Sequence, residues 1–197
     1  MVEYWNHNIA YHPWILQNSQ GRVLDIGCGD GTLVEKLAAQ CEYVVGIEPD
    51  CATFLQAKKR LENAENVQLL RTTFEDYAQT VSAGEFDTII FVASIHHMEF
   101  RQALENAKRQ LCPGGVILVV GLSANKTIFD WIISSLKFPV VKILDWKYRA
   151  SDSPSVPVAE PTLNLAEIRE IVSEELPGAT IRHGVLYRYL LSWVNDP

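Results

Sequence analysis

A glycine-rich turn that directly follows an apolar segment is the feature that most constrains the fold of this chain. Residues 22–26 form the sequence Arg-Val-Leu-Asp-Ile, which is typical of a buried β-strand, and Gly27, Gly29 and Gly31 follow it. Apolar side chains then recur at helical spacing over residues 32–40. Glycine is needed where the backbone turns sharply or where a ligand approaches the main chain. The segment therefore predicts a strand, a tight turn and a helix that begins beside a bound ligand.

Apolar strands and amphipathic helices alternate along the rest of the chain. The predicted strands are residues 22–26, 43–48, 67–70, 86–92 and 116–120, and the predicted helices are residues 32–40, 49–63, 99–111 and 163–176. Such alternation predicts a parallel sheet that is covered by helices on both faces. Pro113, Gly114 and Gly115 predict a turn before the fifth strand. Two extended runs within residues 180–194 predict an antiparallel hairpin that closes the sheet.

The length and composition indicate one globular domain over residues 1–197. The chain is 48% hydrophobic and 21% charged, which is ordinary for a soluble protein. Residues 1–20 are predicted to form an N-terminal cap, and residues 123–161 an inserted lid of helix and loop. The net charge of −7 disfavours nucleic acid as a partner. No apolar run reaches the ~20 residues that a membrane span requires.

The cysteines favour a cytoplasmic location. The four of them, Cys28, Cys41, Cys51 and Cys112, form no CxxC pair and are expected to be reduced thiols. No cluster of His and Cys has the spacing of a zinc site, so no metal is expected. The N-terminal residues show no basic region followed by an apolar run, so no signal peptide is predicted. The sequence does not indicate an oligomeric state.

A carboxylate at the end of the second strand narrows the class of ligand. Glu48 comes about twenty residues after the glycine turn, where it can accept hydrogen bonds from a ribose diol. The dinucleotide-binding pattern would place its third glycine where Thr32 stands, but here the third glycine is Gly31. Asp25 beside the turn would repel a pyrophosphate and attract a cationic methionine group. These differences favour S-adenosylmethionine over a nicotinamide dinucleotide.

Four motifs in this order, VLDIGCGDG, VVGIEPD, FDTIIFVASIHHM and LCPGGVILVV, carry a resemblance to a known family. The chain resembles class I S-adenosylmethionine-dependent methyltransferases, in particular the small bacterial relatives of ubiquinone/menaquinone methyltransferases, over residues 21–121. The resemblance implies a Rossmann-like three-layer α/β/α sandwich around a mostly parallel seven-stranded sheet with an antiparallel last strand. It also implies transfer of a methyl group from S-adenosylmethionine to a small-molecule acceptor, which leaves S-adenosylhomocysteine.

The resemblance assigns roles to particular residues. It implies that Asp25 lies near the amino group of the methionine part and that Glu48 binds the ribose hydroxyls. The other cofactor-binding residues that it implies are Gly27, Cys28 and Gly29 through their backbone, Pro49 at the adenine, and Val92 and Ala93 beside the sulfonium.

The contact to the adenine amino group departs from the family pattern. Many relatives have an acidic residue where this chain has Thr73, followed by Phe74. Thr73 and Phe74 remain the implied adenine-binding residues, and Glu75, Asp76 or the Phe74 backbone alone are the alternatives for this contact.

Two adjacent histidines follow the fourth strand, near the expected position of the methyl group. An unperturbed imidazole titrates near neutral pH, so His97 or His96 is a candidate catalytic residue, as a general base or as a group that orients a substrate hydroxyl. The alternative is that the pair only builds the loop.

A second polar and aromatic cluster lies near the N-terminus. Tyr4, His7 and Tyr11 share one face at helical spacing, and His12 follows them. Because the N-terminal segment often closes over the cofactor in the resembling fold, Tyr11 and His12 are predicted to contact the cofactor, with contact to the acceptor as an alternative. The alternative is a surface or capping role.

Apolar side chains in the predicted lid bear on the acceptor. Phe129, Trp131 and Trp146 within residues 123–161 favour a small acceptor that is partly apolar or aromatic. The alternatives are that they only pack a helix on the sheet or contact a lipid surface. Two other functions stay open from the sequence: a binding or regulatory module that keeps the cofactor without turnover, and a nicotinamide-dependent oxidoreductase.

Overall fold

The computed structural model describes residues 8–124, 160–184 and 188–196. The strands are β1 (Arg22–Ile26), β2 (Tyr43–Ile47), β3 (Val67–Leu70), β4 (Phe86–Val92), β5 (Leu111–Leu122), β6 (Thr180–His183) and β7 (Arg188–Val194). The α-helices are α1 (His12–Asn18), α2 (Thr32–Ala38), α3 (Cys51–Arg60), α4 (Phe74–Thr80), α5 (Phe100–Gln110) and α6 (Leu165–Glu175), and short 3₁₀ helices occur at Ile9–Tyr11 and Ile95–His97.

The strands form one seven-stranded sheet in the order β3-β2-β1-β4-β5-β7-β6. The first five strands in the chain pair in parallel, whereas β7 runs antiparallel to both of its neighbours, β5 and β6. The predicted fold, a mostly parallel sheet with an antiparallel last strand, is therefore confirmed. The strand order reverses between β1 and β4, and the crevice at such a reversal is where parallel α/β sheets bind ligands.

Alternate side chains of the central strands enter two separate hydrophobic cores. On β4, Ile89 and Phe91 belong to the core that contains side chains of α4, α5 and α6. Ile90, between them, belongs to the core that contains side chains of α1 and α2. Successive residues of a strand point to opposite faces of the sheet, so both faces are covered, as the near-continuous apolar strands predict.

Two local features differ from the sequence-based predictions. Helix α4 was not predicted, because its buried side chains occupy only one short stretch of seven residues in which a helical period is hard to recognise. The predicted turn at Pro113, Gly114 and Gly115 is an irregular stretch inside β5 and does not precede it. Gly114 has a φ angle of 77°, and the pairing with β4 passes from Leu111 directly to Val116, where the predicted strand begins. Two backbone hydrogen bonds with Asn195 hold the irregular stretch. The Gly114 N–H donates to the Asn195 carbonyl at 2.7 Å, and the Asn195 N–H donates to the Gly115 carbonyl at 2.8 Å.

Parts of the sequence predictions lie outside the described residues. These are nearly all of the lid predicted over residues 123–161, with its apolar side chains, and Tyr4 and His7 of the N-terminal cluster. Among the helices of the described ranges, none has the length and apolar character needed to cross a bilayer. Within the same ranges, His, Cys, Asp and Glu side chains form no group of three or more that could hold a metal ion.

Candidate functional site

The glycine turn between β1 and α2 is tied to the end of β2 by backbone hydrogen bonds. The N–H groups of Gly27 and Cys28 both donate to the carbonyl oxygen of Ile47, at 2.9 and 3.0 Å. The N–H of Gly31 donates to the carbonyl oxygen of Cys28 at 3.1 Å. Gly27, Gly29 and Gly31 have φ angles of 74°, 58° and 78°, which residues with side chains rarely adopt. The backbone of this turn therefore favours glycine at all three positions.

The space around the three glycines differs. A Cβ atom at Gly27 would lie 2.6 Å from the Cβ of Ser94, and one at Gly31 would lie 2.9 Å from a methyl group of Leu61. These two glycines allow close packing inside the protein. A Cβ atom at Gly29 would meet no described atom within 4 Å. Gly29 is thus the member of the turn whose main chain faces open space, where a ligand can approach.

Glu48 lies at the end of β2 and faces the glycine turn. Its Oε2 accepts a hydrogen bond from the Gly29 N–H at 3.1 Å, and its Oε1 accepts one from the Asp50 N–H at 2.9 Å. The side chain is half-buried, and the neighbouring Pro49 is exposed. A carboxylate has about four acceptor positions, so the two backbone donors fix its orientation and leave capacity for a ligand diol.

Asp25 is a buried carboxylate near the C-terminal end of β1, two residues before Gly27. Its residue is 1% exposed, and its Oδ1 has no hydrogen-bond partner among the described atoms. Burial, followed by the negative charge of Glu48, raises the pKa of Asp25 to about 7. An unpartnered carboxylate beside a second carboxylate is costly in the folded protein, and a bound cation would offset that cost.

The raised pKa of Asp25 leads to a prediction about stability. Between the ordinary pKa of 3.8 and about 7, the folded protein keeps this proton whereas the unfolded chain releases it. The ligand-free protein should therefore lose unfolding free energy as the pH rises through this interval. Urea unfolding at several pH values checks this, with Asp25→Asn as the control that removes the titration. A free-energy difference between the two proteins that does not change with pH would contradict the prediction.

The end of β4 packs directly on the glycine turn. Ala93 has a φ angle of +52°, an uncommon value for a residue with a side chain, and its N–H donates to the Val120 carbonyl at 2.8 Å. Ser94, which is buried, follows it and presents its Cβ to Gly27. Val92 and Ala93 are both half-buried. The structure therefore brings Val92 and Ala93 to the same edge of the sheet as the turn and Glu48.

A cavity of about 280 Å³, counting its open mouth, lies next to this edge. Its wall includes Ile95, His96, Met98, Phe100, Ile168 and Tyr189. His96 lines the cavity, whereas His97 is exposed and is not part of the wall. Burial lowers the pKa of His96 to about 4, and the nearby charges of His97 and Arg188 act in the same direction. At neutral pH the His96 imidazole is therefore neutral.

Other predicted site residues have structural contacts. Thr73 caps α4, since its Oγ1 accepts from the Asp76 N–H at 3.2 Å. The Phe74 ring is 2% exposed and meets the ring of Phe91 edge-on, with centroids 5.7 Å apart, so this side chain lies in the core. The Cys28 side chain is also buried, and burial raises the pKa of its thiol. Phe74 and Cys28 can therefore serve a ligand only through their backbone.

Tyr11 and His12 lie near the start of β7. A Cβ atom at Gly184 would be 2.8 Å from the Tyr11 hydroxyl, and the charge of Arg188 acts on the same phenol. The Asn8 Oδ1 accepts a hydrogen bond from Arg188 Nη2 at 2.9 Å. His12 is 4% exposed. Tyr11 belongs to the core on the face covered by α1 and α2, whereas Ile95 and Tyr189 of the cavity wall belong to the other core. A contact of Tyr11 and His12 with the cofactor stays a prediction.

Sequence reasoning did not single out Tyr189, which lies in the wall of the cavity. The residue falls within the extended runs predicted over residues 180–194, and its place in the cavity depends on the pairing of β7 with β5. In that pairing Tyr189 lies opposite Gly121. A glycine in the interior of a predicted strand marks close approach of another group, which is the signal that was present.

Comparisons with known proteins agree on one family. The model of a family described as Methyltransferase domain matches residues 24–119. A protein of Mycobacterium tuberculosis that bears the name uncharacterized methyltransferase is 30% identical over 207 residues, which cover 98% of each chain. The ubiquinone biosynthesis O-methyltransferase of Erwinia tasmaniensis is 28% identical over 127 residues, or 61% of this chain and 51% of that enzyme.

Solved structures share the fold at low sequence identity. The YcgJ protein from Bacillus subtilis has a TM-score of 0.66 and 19% identity, over 89% of this chain and 71% of its own. The N-methyltransferase NodS from Bradyrhizobium japonicum has a TM-score of 0.61 and 20% identity, over 96% of both chains. At these identities the likeness concerns the architecture of the sheet and helices.

Proposed function

The chain belongs to the class I S-adenosylmethionine-dependent methyltransferases, and on this premise we propose that Asp25, the glycine turn and Glu48 hold the methyl donor. The observation that carries the proposal is the buried Asp25 carboxylate with its unpartnered oxygen. S-adenosylmethionine has an ammonium group and a sulfonium, and a buried carboxylate is stabilised by such a cation. The residues present therefore fit this group. When bound, it supplies a methyl group that its sulfonium charge already activates.

Each residue of the proposed donor site has a distinct task. Asp25 binds the ammonium group, whose charge favours the ionised carboxylate. Gly29 lets the ligand approach the main chain, because no described atom occupies the space at its Cβ position. Glu48 uses its remaining acceptor capacity for the ribose diol. Pro49 packs on the adenine, and Val92 lies with Ala93 at the floor beside the reacting methyl group.

The adenine amino group is the least determined part of the proposed donor site. Thr73 is engaged as the cap of α4, and the Phe74 side chain is in the core. Glu75 and Asp76 are exposed in the first turn of α4 and are carboxylates of the type that binds an amino group. We therefore assign the contact to this turn, through one of these carboxylates or the Phe74 backbone.

Glu48→Ala should weaken the binding of S-adenosylhomocysteine by about 1–3 kcal/mol, the cost of a lost charge-assisted hydrogen bond. Part of the loss comes from the Gly29 N–H, which loses the acceptor that orders the turn. Glu48→Gln keeps one acceptor oxygen and should bind with intermediate affinity. Isothermal titration calorimetry measures all three proteins, and Glu42→Gln, at the exposed opposite end of β2, is the control. Unchanged affinity in Glu48→Ala would refute the ribose assignment.

The acceptor is proposed to be a small, partly apolar molecule, bound near His96 in the cytoplasm. Most residues of the cavity wall have apolar side chains, which supports this. The name of the Erwinia relative, which places that enzyme in the biosynthesis of the small molecule ubiquinone, also supports it. The four free cysteines are compatible with a reducing compartment. The role of orienting a substrate hydroxyl, suggested by the sequence, is proposed for His96, since His97 is outside the cavity wall.

Two measurements test the proposed function. S-adenosylhomocysteine should raise the melting temperature, whereas NAD or NADP at equal concentration should not. Transfer of an isotope-labelled methyl group from S-adenosylmethionine should then be detected over a panel of small acceptors. A melting temperature that responds only to the nicotinamide dinucleotides would overturn the donor site, and binding without transfer to any acceptor would leave a binding module.

A further inference from the structure

Two buried polar groups without hydrogen-bond partners occur on residues that line one cavity. The cavity wall is otherwise mostly apolar, with Ile95, Met98, Phe100 and Ile168 among its members. Within the described ranges, neither the hydroxyl of Tyr189 nor the Nδ1 of His96 has a partner. Buried polar groups in folded proteins are nearly always satisfied, so these two atoms are hydrogen-bonding positions that a polar group in the cavity would fill.

The Tyr189 phenol is held in place by its backbone environment. Tyr189 lies opposite Gly121 in the pairing of β7 with β5, and a Cβ atom at Gly121 would overlap the phenol ring. The ring thus lies across the bare main chain of Gly121, where a larger residue would exclude it. Burial raises the pKa of this phenol, so the hydroxyl keeps its proton and remains a hydrogen-bond donor.

His96 supplies the complementary group. Its imidazole is neutral at pH 7, because burial and two neighbouring positive groups disfavour the charged form. A neutral imidazole has one nitrogen that accepts and one that donates. A neutral phenol and a neutral imidazole together suit a group that both donates and accepts, which a hydroxyl does and a carboxylate or an ammonium group does not.

We propose that this cavity binds the methyl acceptor as a neutral hydroxyl compound on a small apolar or aromatic frame, with Tyr189 donating to the hydroxyl oxygen and His96 Nδ1 accepting a hydrogen bond from the hydroxyl. The inference rests on the proposed function and adds the class of acceptor. The space of about 280 Å³ includes the open mouth of the cavity. The wall therefore encloses the hydroxyl end of the acceptor, and the rest of its frame extends into the mouth.

The reaction that follows is O-methylation. The hydroxyl oxygen forms a bond to the methyl carbon while the bond from that carbon to sulfur breaks, and the electron pair of the broken bond stays on sulfur. His96 Nδ1 accepts a hydrogen bond from the hydroxyl, and the hydroxyl proton leaves to water as the bond from oxygen to carbon forms. Tyr189 does not exchange a proton; it positions the oxygen.

Binding of matched probes to the full chain saturated with S-adenosylhomocysteine tests this proposal. The probes are 4-methylphenol, 4-methylbenzylamine, which is an ammonium at pH 7, 4-methylbenzoate and 1,4-dimethylbenzene, which share one frame and differ in one group. Calorimetry and ligand-observed NMR measure their affinities. The phenol should bind about tenfold more tightly than the other three, as expected for one well-made buried hydrogen-bonded group.

Two variants locate the effect. Tyr189→Phe and His96→Asn should each bring the phenol to within about threefold of 1,4-dimethylbenzene, while the affinity for S-adenosylhomocysteine stays unchanged. Tyr77→Phe is the matched control, because it removes a phenol hydroxyl from the same hydrophobic core but outside the cavity wall. Tyr189→Phe removes a buried hydroxyl without a partner, so its melting temperature should equal or exceed that of the original protein.

The outcomes separate this inference from the proposed function. Loss of the phenol preference in both cavity variants but not in Tyr77→Phe supports it. A preference for the benzoate or the benzylamine, no preference at all, or a phenol preference that survives both variants overturns it while the donor site stands. Failure of S-adenosylhomocysteine to bind refutes the donor site instead.

Discussion

Asp25→Asn should reduce the affinity for S-adenosylhomocysteine by about 100-fold, because removing one partner of a buried ion pair costs about 3 kcal/mol. The product keeps the ammonium group that Asp25 is proposed to bind, so the product is a suitable probe. Asparagine has nearly the same shape as aspartate, so the packing around this position of β1 stays the same. Isothermal titration calorimetry at pH 8, where the carboxyl of the original protein is ionised, measures the effect.

The same substitution should stabilise the ligand-free protein at pH 8. An ionised Asp25 with a pKa raised to about 7 costs the folded state free energy, on the order of 1.4 kcal/mol for each pKa unit. Asp87→Asn is the control, since Asp87 accepts a hydrogen bond from the Arg22 N–H at 2.8 Å and is a structural carboxylate. That variant should lose stability and keep its affinity. Asp25→Asn with unchanged affinity would remove the main support for the donor site.

Gly27→Ala should have the second large effect, on stability and cofactor binding together. Its Cβ atom would lie 2.6 Å from that of Ser94, and its φ angle of 74° is unfavourable for alanine. The backbone conformation alone costs about 1–2 kcal/mol, and the collision adds to it. We expect unfolding in urea at a clearly lower midpoint and loss of measurable binding of S-adenosylhomocysteine.

Gly29→Ala separates the two effects. Gly29 has a φ angle of 58°, and no described atom lies within 4 Å of its Cβ position. Gly84 has a φ angle of 67° and an equally open Cβ position, so it is the matched control. Both alanine variants should lose a similar amount of stability, about 1 kcal/mol. Only Gly29→Ala should weaken the binding of S-adenosylhomocysteine, by about tenfold or more. Equal affinities in the two variants would show that the ligand does not approach the main chain at Gly29.

The geometry of the proposed donor site could be predicted from sequence because its signals are local. The strand at residues 22–26, the three glycines and Glu48 lie within a short stretch of chain, and each has a type that its local role demands. The parallel sheet followed from apolar segments that alternate with helices. Helix α4 has only seven residues, too few for a helical period of apolar side chains to be recognised. For the same reason Phe74 could not be assigned from sequence to the core or to the ligand.

The acceptor side was not predictable, because it depends on contacts between distant residues. Nothing in the sequence around Tyr189 says that it faces Gly121, since that depends on the register of β7 against β5. The two histidines are adjacent and equivalent in the sequence. Only the 3₁₀ helix Ile95–His97 determines that His96 enters the cavity wall and His97 remains exposed.

The pairing of Tyr189 with Gly121 makes the two halves of the site depend on different parts of the fold. The proposed donor half joins loops that are close in sequence, so forming its contacts costs little loop-closure entropy. The proposed acceptor half needs β7, which follows α6 and pairs with the distant β5, so its contacts form over a long sequence separation. A substitution that weakens only the pairing of β5 with β7 would thus leave the proposed donor site intact but displace Tyr189 from the wall of the cavity. Capture of the donor and recognition of the acceptor can therefore vary separately, on a single sheet.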